Sequence, residues 1–136
     1  MPVITTLSFA GRTEEALAFY RDRLDAEILF LMRFRESPDQ SFTQPGMEDL
    51  IFHASFQIEG TILKASDVGP LTRDSCDGFT GFALLLELES TDRARRVFNA
   101  LADGGDVVIP LAASAFTSLY GVVTDRFGIA WKISVG

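Results

Sequence analysis

The chain has 136 residues, of which 47% are hydrophobic, and its 12 basic and 19 acidic residues give a net charge of −7. This length suits one domain, or two small modules that share a core. The negative charge argues against a nucleic-acid partner and against an anionic membrane surface, because both attract clustered Lys and Arg side chains. The single cysteine, Cys76, excludes an internal disulfide and a cysteine-based zinc site, and its own role stays open.

Two further features of the composition bear on location and core. No basic-apolar segment near the N-terminus resembles a secretory signal, and no apolar run approaches the ~18 residues of a membrane span. We therefore expect a cytoplasmic protein with no membrane partner. The 12 phenylalanines indicate an aromatic core or an apolar ligand cavity.

The first half of the chain predicts one strand, one helix and three further strands. The first strand covers Val3–Phe9, and Thr13 is expected to cap a helix over Glu14–Leu24. Turn residues at Glu59-Gly60 predict a hairpin between the last two strands. The later strands of this half are predicted at Ala26–Phe34, Leu50–Ile58 and Thr61–Ser66.

The second half predicts the same series of elements. A strand over Thr80–Leu88 is followed by a helix over Asp92–Ala102, which Ser90 or Thr91 is expected to cap. The later strands are predicted at Asp106–Leu111, Leu119–Thr124 and Ile129–Val135. The order βαβββ therefore occurs twice, which indicates an α+β fold with modules at about residues 1–67 and 79–136.

An internal repeat relates the two halves. Gly60 and Lys64 recur as Gly128 and Lys132 at the same spacing, with the glycine in the last hairpin and the lysine in the strand that follows. The first half is longer by a segment rich in Pro, Ser, Gln and Gly, which covers Glu36–Asp49. Because matching positions of a repeated structure converge near its midline, we expect the functional site there.

A set of short motifs is spread over nearly the whole chain. They are Leu7-Ser8-Phe9 with Gly11, Glu15-Ala16, Phe19-Tyr20, Phe34–Pro38, His53-Ala54, Ala65-Ser66-Asp67, Phe98–Ala102, Gly104-Gly105, Pro110-Leu111, Tyr120-Gly121, Asp125–Gly128 and Trp131. No single motif is specific, but in combination they resemble the PhnB-like branch of the vicinal-oxygen-chelate superfamily, which includes glyoxalase I, extradiol dioxygenases and bleomycin-resistance proteins.

The resemblance implies a fold but no established reaction. It implies a single glyoxalase-like domain over residues 1–136, in which two βαβββ modules form a cupped, mixed, mostly antiparallel sheet with the helices outside. The branch is often labelled methyltransferase-like. The chain has no glycine-rich strand-to-helix loop for a methyl-donor cofactor, so we reject that label and expect no cofactor.

The resemblance also implies where a metal would bind. Metal-dependent relatives carry His, Glu or Gln ligands on the first and last strand of each half. The corresponding positions here are Thr5, Lys64, Ala83 and Lys132. A protonated lysine has no lone pair to offer, so we expect no glyoxalase-type metal. His53 and Glu87 remain as conceivable ligands, but two are too few for a firm site.

Strand alternation predicts which side chains face the cup. Ala54 and Phe56 belong to an apolar face of their strand. The polar residues that alternate with them, His53, Ser55 and Gln57, should therefore face the cup. The two lysines make a small anion, such as a carboxylate or phosphonate, the expected ligand. An alternative is that they pair with Glu59, Glu87 or Glu89. The predicted ligand-binding residues are His53, Ser55, Gln57, Lys64, Glu87 and Lys132.

Four other side chains have simpler structural interpretations. Asp125 should bind backbone amides of its own turn. Trp131 should be buried on the convex face of its strand, against a helix, because Lys132 next to it points into the cup. Tyr120 and Phe116, near the mouth, should pack rather than bind substrate.

The sequence is also compatible with two alternative functions, and it indicates a homodimer. The chain could be a divalent-metal lyase, isomerase or dioxygenase that uses His53 and Glu87. It could also sequester large cationic drugs, as bleomycin-resistance proteins do, which the charge of −7 favours and the lysines disfavour. We expect a homodimer in which Glu36–Asp49, with Phe42 and Met47, covers the cup of the second subunit.

Overall fold

The computed structural model describes residues 2–68, 79–115 and 117–136. Cys76 and Phe116, which the sequence singles out, lie outside the described residues. The backbone divides into two compact units, Met1–Arg73 and Asp74–Gly136. No helix in the described part of the chain is both long and apolar enough to cross a bilayer.

The first unit is one helix and a four-stranded mixed sheet. The strands lie in the order β1-β4-β3-β2. Strand β1 runs parallel to β4, and the other neighbouring pairs are antiparallel. The elements are β1 (Thr6–Ser8), α1 (Thr13–Leu24), β2 (Glu27–Arg33), a 3-10 turn (Phe34–Glu36), β3 (Ile51–Ile58) and β4 (Thr61–Ser66).

The second unit repeats this topology. Its strands lie in the order β5-β8-β7-β6, with β5 parallel to β8 and the other pairs antiparallel. The elements are β5 (Leu84–Leu88), α2 (Thr91–Ala102), β6 (Asp106–Ala112), β7 (Leu119–Thr124) and β8 (Ala130–Val135). The α+β class and the two βαβββ modules predicted from the sequence are confirmed.

The first strand of each half is shorter than predicted. Strand β1 begins at Thr6 and not at Val3, whose side chain is fully exposed and gains nothing from pairing. Strand β5 begins at Leu84 and not at Thr80. Gly81 before it has a φ of +82°, which an extended strand does not allow. Strands β1 and β5 therefore begin where each pairs in parallel with the last strand of its own half, β4 or β8.

Helix α1 covers one face of the first sheet. The Tyr20 ring stacks on Phe56 of β3 with centroids 6.1 Å apart, and Phe19 meets Tyr20 edge-on at 5.8 Å. Tyr20 and Phe56 are fully buried. The side chains that alternate with Phe56 on β3 must therefore point away from the helix.

Helix α2 covers the corresponding face of the second sheet. A Cβ at Gly121 of β7 would lie 2.9 Å from the Phe98 ring, so helix and strand are in direct contact there. Val123 lies two residues after Gly121 on β7 and so points to the same face. Trp131 is the register partner of Val123 and therefore lies on this face too. The Trp131 side chain is 2% exposed, so its predicted burial against the helix is confirmed.

Two buried aspartates organise the joints between elements. The Asp67 carboxylate accepts hydrogen bonds from the Gly11 and Thr13 amides, the Thr13 hydroxyl and the Ile51 amide. The sequence predicts Thr13 as the N-cap, but Thr13 is the first helical residue, and its hydroxyl donates to Asp67. The cap of α1 is supplied from the end of β4.

Asp125 does what its position in the turn predicts. One oxygen accepts the Phe127 and Ile129 amides at 2.9 and 3.1 Å. The other oxygen accepts the Trp131 indole N–H at 2.9 Å, so the carboxylate also fixes the ring that packs on the helix face. The sequence predicted the amide contacts but not the indole contact.

The segment after the 3-10 turn is tied to its own unit. Met47 was expected to contact a second subunit, but it is only 4% exposed and packs within its own unit. Phe42, by contrast, is 60% exposed and stacks on Phe52.

Arg33 binds Glu14 at 2.6 Å and links β2 to the first turn of α1. This hydrogen bond holds the pKa of Glu14 below its usual range and raises the pKa of Arg33.

Candidate functional site

On the first unit, polar side chains occupy the sheet face that α1 leaves uncovered. Lys64 of β4 lies in register between Thr6 of β1 and Ser55 of β3. Gln57 follows Ser55 on the same face, opposite the buried Phe56. The predicted grouping of Ser55, Gln57 and Lys64 away from the helix therefore matches the register.

His53 completes this row at the far end of β3. Its ring lies 5.8 Å from the ring of Phe30, whose strand partner is Ser55, so His53 shares the face with Ser55. Phe30 and Ile62 are 45% and 47% exposed. The face is thus a mixture of one imidazole, one ammonium, neutral polar groups and apolar surface, which suits a small molecule with both polar and apolar parts.

On the second unit, the uncovered face carries the other predicted residues. Lys132 of β8 lies in register between Leu85 and Val122. The next row of the same face contains Glu87, Ser134 and Tyr120 on three adjacent strands. Glu87 and Lys132 are thus close on one face, although they lie in different rows.

Neither lysine forms an ion pair in the described part of its own unit. No carboxylate lies within salt-bridge distance of Lys64 among residues 2–68. Lys132 likewise has none among residues 79–115 and 117–136, Glu87 and Glu89 included. The alternative in which Glu59, Glu87 or Glu89 neutralises the lysine of its own half is therefore not seen in these ranges.

A cavity of about 650 Å³ lies on the second unit over the row that contains Glu87. Glu87 is the predicted site residue that lines it; Lys132 is not among its described lining residues, although its neighbour Leu85 is. The lining residues are Leu85, Glu87, Ser114, Thr117, Tyr120, Ser134 and Gly136. Most of these polar groups were not assigned to a site from the sequence, because only the strand register brings them together.

The described residues offer no obvious metal cluster. In the ranges 2–68, 79–115 and 117–136, no three His, Cys, Asp or Glu side chains come together as metal ligands. The positions at which the family resemblance would place metal ligands hold Thr5, Lys64, Ala83 and Lys132. A protonated lysine cannot coordinate a cation, so these residues do not fit a glyoxalase-type ion.

Three comparisons relate this geometry to known proteins. The family model described as 3-demethylubiquinone-9 3-methyltransferase matches residues 2–134. Protein YjdN from Escherichia coli is 34% identical over an alignment 143 residues long, which covers 99% of this chain and 95% of YjdN. A structure described as a PhnB protein from Bacillus cereus is 26% identical, covers all of both chains and superposes with a TM-score of 0.81.

A more distant structure shows how far the fold extends. A glyoxalase-related enzyme from Fulvimarina pelagi superposes with a TM-score of 0.62 over all of this chain and 88% of its own. The two sequences are 20% identical, so the likeness concerns the fold alone. The repeated βαβββ architecture is therefore common to proteins of quite different sequence.

Proposed function

We propose that this chain, which belongs to the PhnB-like branch of the vicinal-oxygen-chelate superfamily, binds a small anionic molecule on the helix-free faces of its sheets without a glyoxalase-type metal. The observation that carries the proposal is the pair Lys64 and Lys132. They are the only lysines in the sequence, and each occupies the same place in its half after a positive-φ glycine. Each lacks a carboxylate partner in the described part of its unit.

The chemistry around the lysines supports an anion. An ammonium donates up to three hydrogen bonds, and a hydrogen bond between charged groups is stronger than a neutral one. Ser55 and Gln57 on the face of Lys64 can donate to further oxygens, and His53 can donate from one ring nitrogen. Carboxylates, phosphate and phosphonates all present such oxygens.

Methyltransferase activity, which the family description names, is not part of the proposal. A methyl-donor cofactor that carries an adenosyl group is commonly bound at a glycine-rich loop between a strand and a helix. Strand β1 leads into α1 through Phe9–Arg12, which contains one glycine, and β5 leads into α2 through Glu89 and Ser90. Neither connection provides such a loop.

Replacing each lysine tests the proposal. In Lys64→Met and Lys132→Met, the affinity for small carboxylates, phosphate and phosphonates should fall about ten- to hundredfold, since a hydrogen bond to a charged group contributes about 1.5–3 kcal/mol. The measurement is calorimetric or NMR titration. Arg96→Met, which removes an equal charge from an exposed position on α2, is the control and should leave the affinity unchanged.

Three results would contradict the proposal. If both lysine variants gain thermal stability while every anion binds as before, the lysines are surface residues. If the purified protein holds a stoichiometric divalent metal that His53→Ala removes, the metal-dependent lyase, isomerase or dioxygenase alternative replaces it. Preferential binding of large aromatic cations would instead favour the drug-sequestering alternative.

We also propose that the protein is a homodimer. Strand β6 is the edge of its sheet, and Val107, Val108 and Ile109 on it are 46–58% exposed, which invites pairing with another chain. Phe42 presents a second apolar contact. Light scattering at micromolar concentration should give twice the mass of one chain. Val108→Lys should lower the measured mass towards that of one chain. A wild-type monomer would contradict the proposal.

A further inference from the structure

The cavity on the second unit is lined by one charged side chain and by two hydroxyls for which no hydrogen bond to another described residue is seen. Glu87 is the charged residue among the described lining residues. Ser134 is 8% exposed, yet its hydroxyl forms no hydrogen bond to any described residue, and the Tyr120 hydroxyl forms none either. The Ser114 and Thr117 hydroxyls, by contrast, bind each other at 2.9 Å. Hydroxyl groups that line a cavity can donate to, or accept from, a molecule bound in it.

The three groups lie in one row across three strands. Glu87 is in register with Ser134, and Ser134 is in register with Tyr120. Adjacent strands lie about 4.8 Å apart, so the long Glu87 and Tyr120 side chains flank the short Ser134 side chain from both sides. A carboxylate and two hydroxyl oxygens can then accept the three hydrogen atoms of one ammonium group.

Lys132 lies two residues along β8 from Ser134, on the same face, about 6.6 Å away along the strand. It forms no ion pair with Glu87 among the described residues. Two opposite charges on one face that do not neutralise each other can be bridged by a molecule that carries both signs. Leu85, in register with Lys132, adds an apolar side chain to the cavity lining.

We propose that the cavity binds the ammonium end of a small zwitterion, whose carboxylate or phosphonate end is held by Lys132. This inference rests on the proposed function and names the class of its ligand: an amino acid or an aminophosphonate. The ammonium makes such a molecule less negative than the corresponding simple anion, so the net charge of −7 on the protein repels it less.

Three small probes of matched length test the inference by NMR titration. They are β-alanine, which has both charges, propionate, which lacks the amine, and propylamine, which lacks the carboxylate. β-Alanine should bind the wild-type protein about tenfold more tightly than propionate, since the ammonium adds charge-assisted hydrogen bonds. Propylamine should bind more weakly than β-alanine because it makes no contact with Lys132.

Variants then separate this inference from the proposed function. Glu87→Gln keeps the shape of the side chain but removes its negative charge, so the tenfold preference for β-alanine over propionate should disappear. Glu89→Gln, an exposed neighbour that does not line the cavity, is the matched control and should keep the preference. Tyr120→Phe removes one acceptor for the ammonium and should weaken β-alanine binding. Circular dichroism confirms that each variant is folded.

The outcomes are distinguishable. If propionate binds and loses affinity in Lys132→Met, but the amine adds nothing in the wild type, the zwitterion inference is wrong and the proposed function stands. It is also wrong if propylamine binds as tightly as β-alanine, or if Glu87→Gln and Glu89→Gln behave alike. If no probe binds and the lysine variants change nothing, the proposed function itself fails.

Discussion

The two halves share one topology but hold the start of their helix by different means. In the second half, Ser90 immediately before α2 accepts the Arg93 amide at 3.2 Å, as a local N-cap does. In the first half, Arg12 precedes α1 without a capping side chain, and Asp67 supplies the acceptor from 54 residues further along the chain. One helix start is therefore encoded next to the helix, and the other depends on tertiary structure.

The second half has a buried aspartate too, but it serves another joint. Asp125 is 3% exposed and binds the turn before β8 and the Trp131 indole, whereas Asp67 is 1% exposed and joins α1 to β3. The difference shows that a repeat preserves the path of the backbone and not the side chains that fasten it. We expect that removing the Asp67 cap of α1 lowers the free energy of unfolding more than removing the Ser90 cap of α2.

The largest effect is expected for Asp67→Ala. The substitution leaves the Gly11, Thr13 and Ile51 amides without their acceptor in a buried place, and each unsatisfied buried donor costs about 1–3 kcal/mol. We expect the free energy of unfolding to fall by about 3 kcal/mol or more, as measured by urea denaturation.

Two further variants make that result specific. Asp67→Asn keeps one amide oxygen as an acceptor and should cost less than Asp67→Ala. Asp49→Ala, which removes an exposed carboxylate that pairs with Arg35, should cost less than about 1 kcal/mol. If Asp67→Ala costs no more than Asp49→Ala, the tertiary cap contributes little and the comparison of the two halves fails.

A smaller effect is expected for Ser90→Ala. Loss of an N-cap hydroxyl costs about 1 kcal/mol, so the unfolding midpoint should fall modestly. Ser90→Asp, which restores an acceptor, should recover the loss. Thr91→Ala is the control, because Thr91 is already inside the helix and its hydroxyl is not the cap. Equal losses in Ser90→Ala and Thr91→Ala would show that helix propensity and not capping decides the stability of α2.

Local patterns were enough to predict the elements and the faces of the strands. The alternation around Phe56 placed Ser55 and Gln57 on the uncovered face, and the repeat placed Lys64 and Lys132 at matching positions. What depends on distant parts of the chain could not be predicted in this way. Thr13 looks like an N-cap because Ser, Thr and Asp residues at a helix start usually are caps, and its true partner lies at the end of β4.

The cavity illustrates the same limit. Period-two alternation places Tyr120 and Ser134 on faces of their own strands, but the row that they share with Glu87 is set by hydrogen-bond register between three strands. A shift of one residue on β8 would replace Ser134 by a buried apolar neighbour. The sequence therefore indicated Glu87 as a site residue without its two hydroxyl neighbours.

The distant cap of α1 has a consequence for synthesis on the ribosome. The Thr13 amide is made 54 residues before its acceptor Asp67. At about 5–20 residues per second, the nascent helix waits several seconds for that carboxylate, whereas the cap of α2 is made before the helix itself. Short isolated helices are marginal in water, so α1 should stay unformed in the nascent chain until β3 and β4 have emerged.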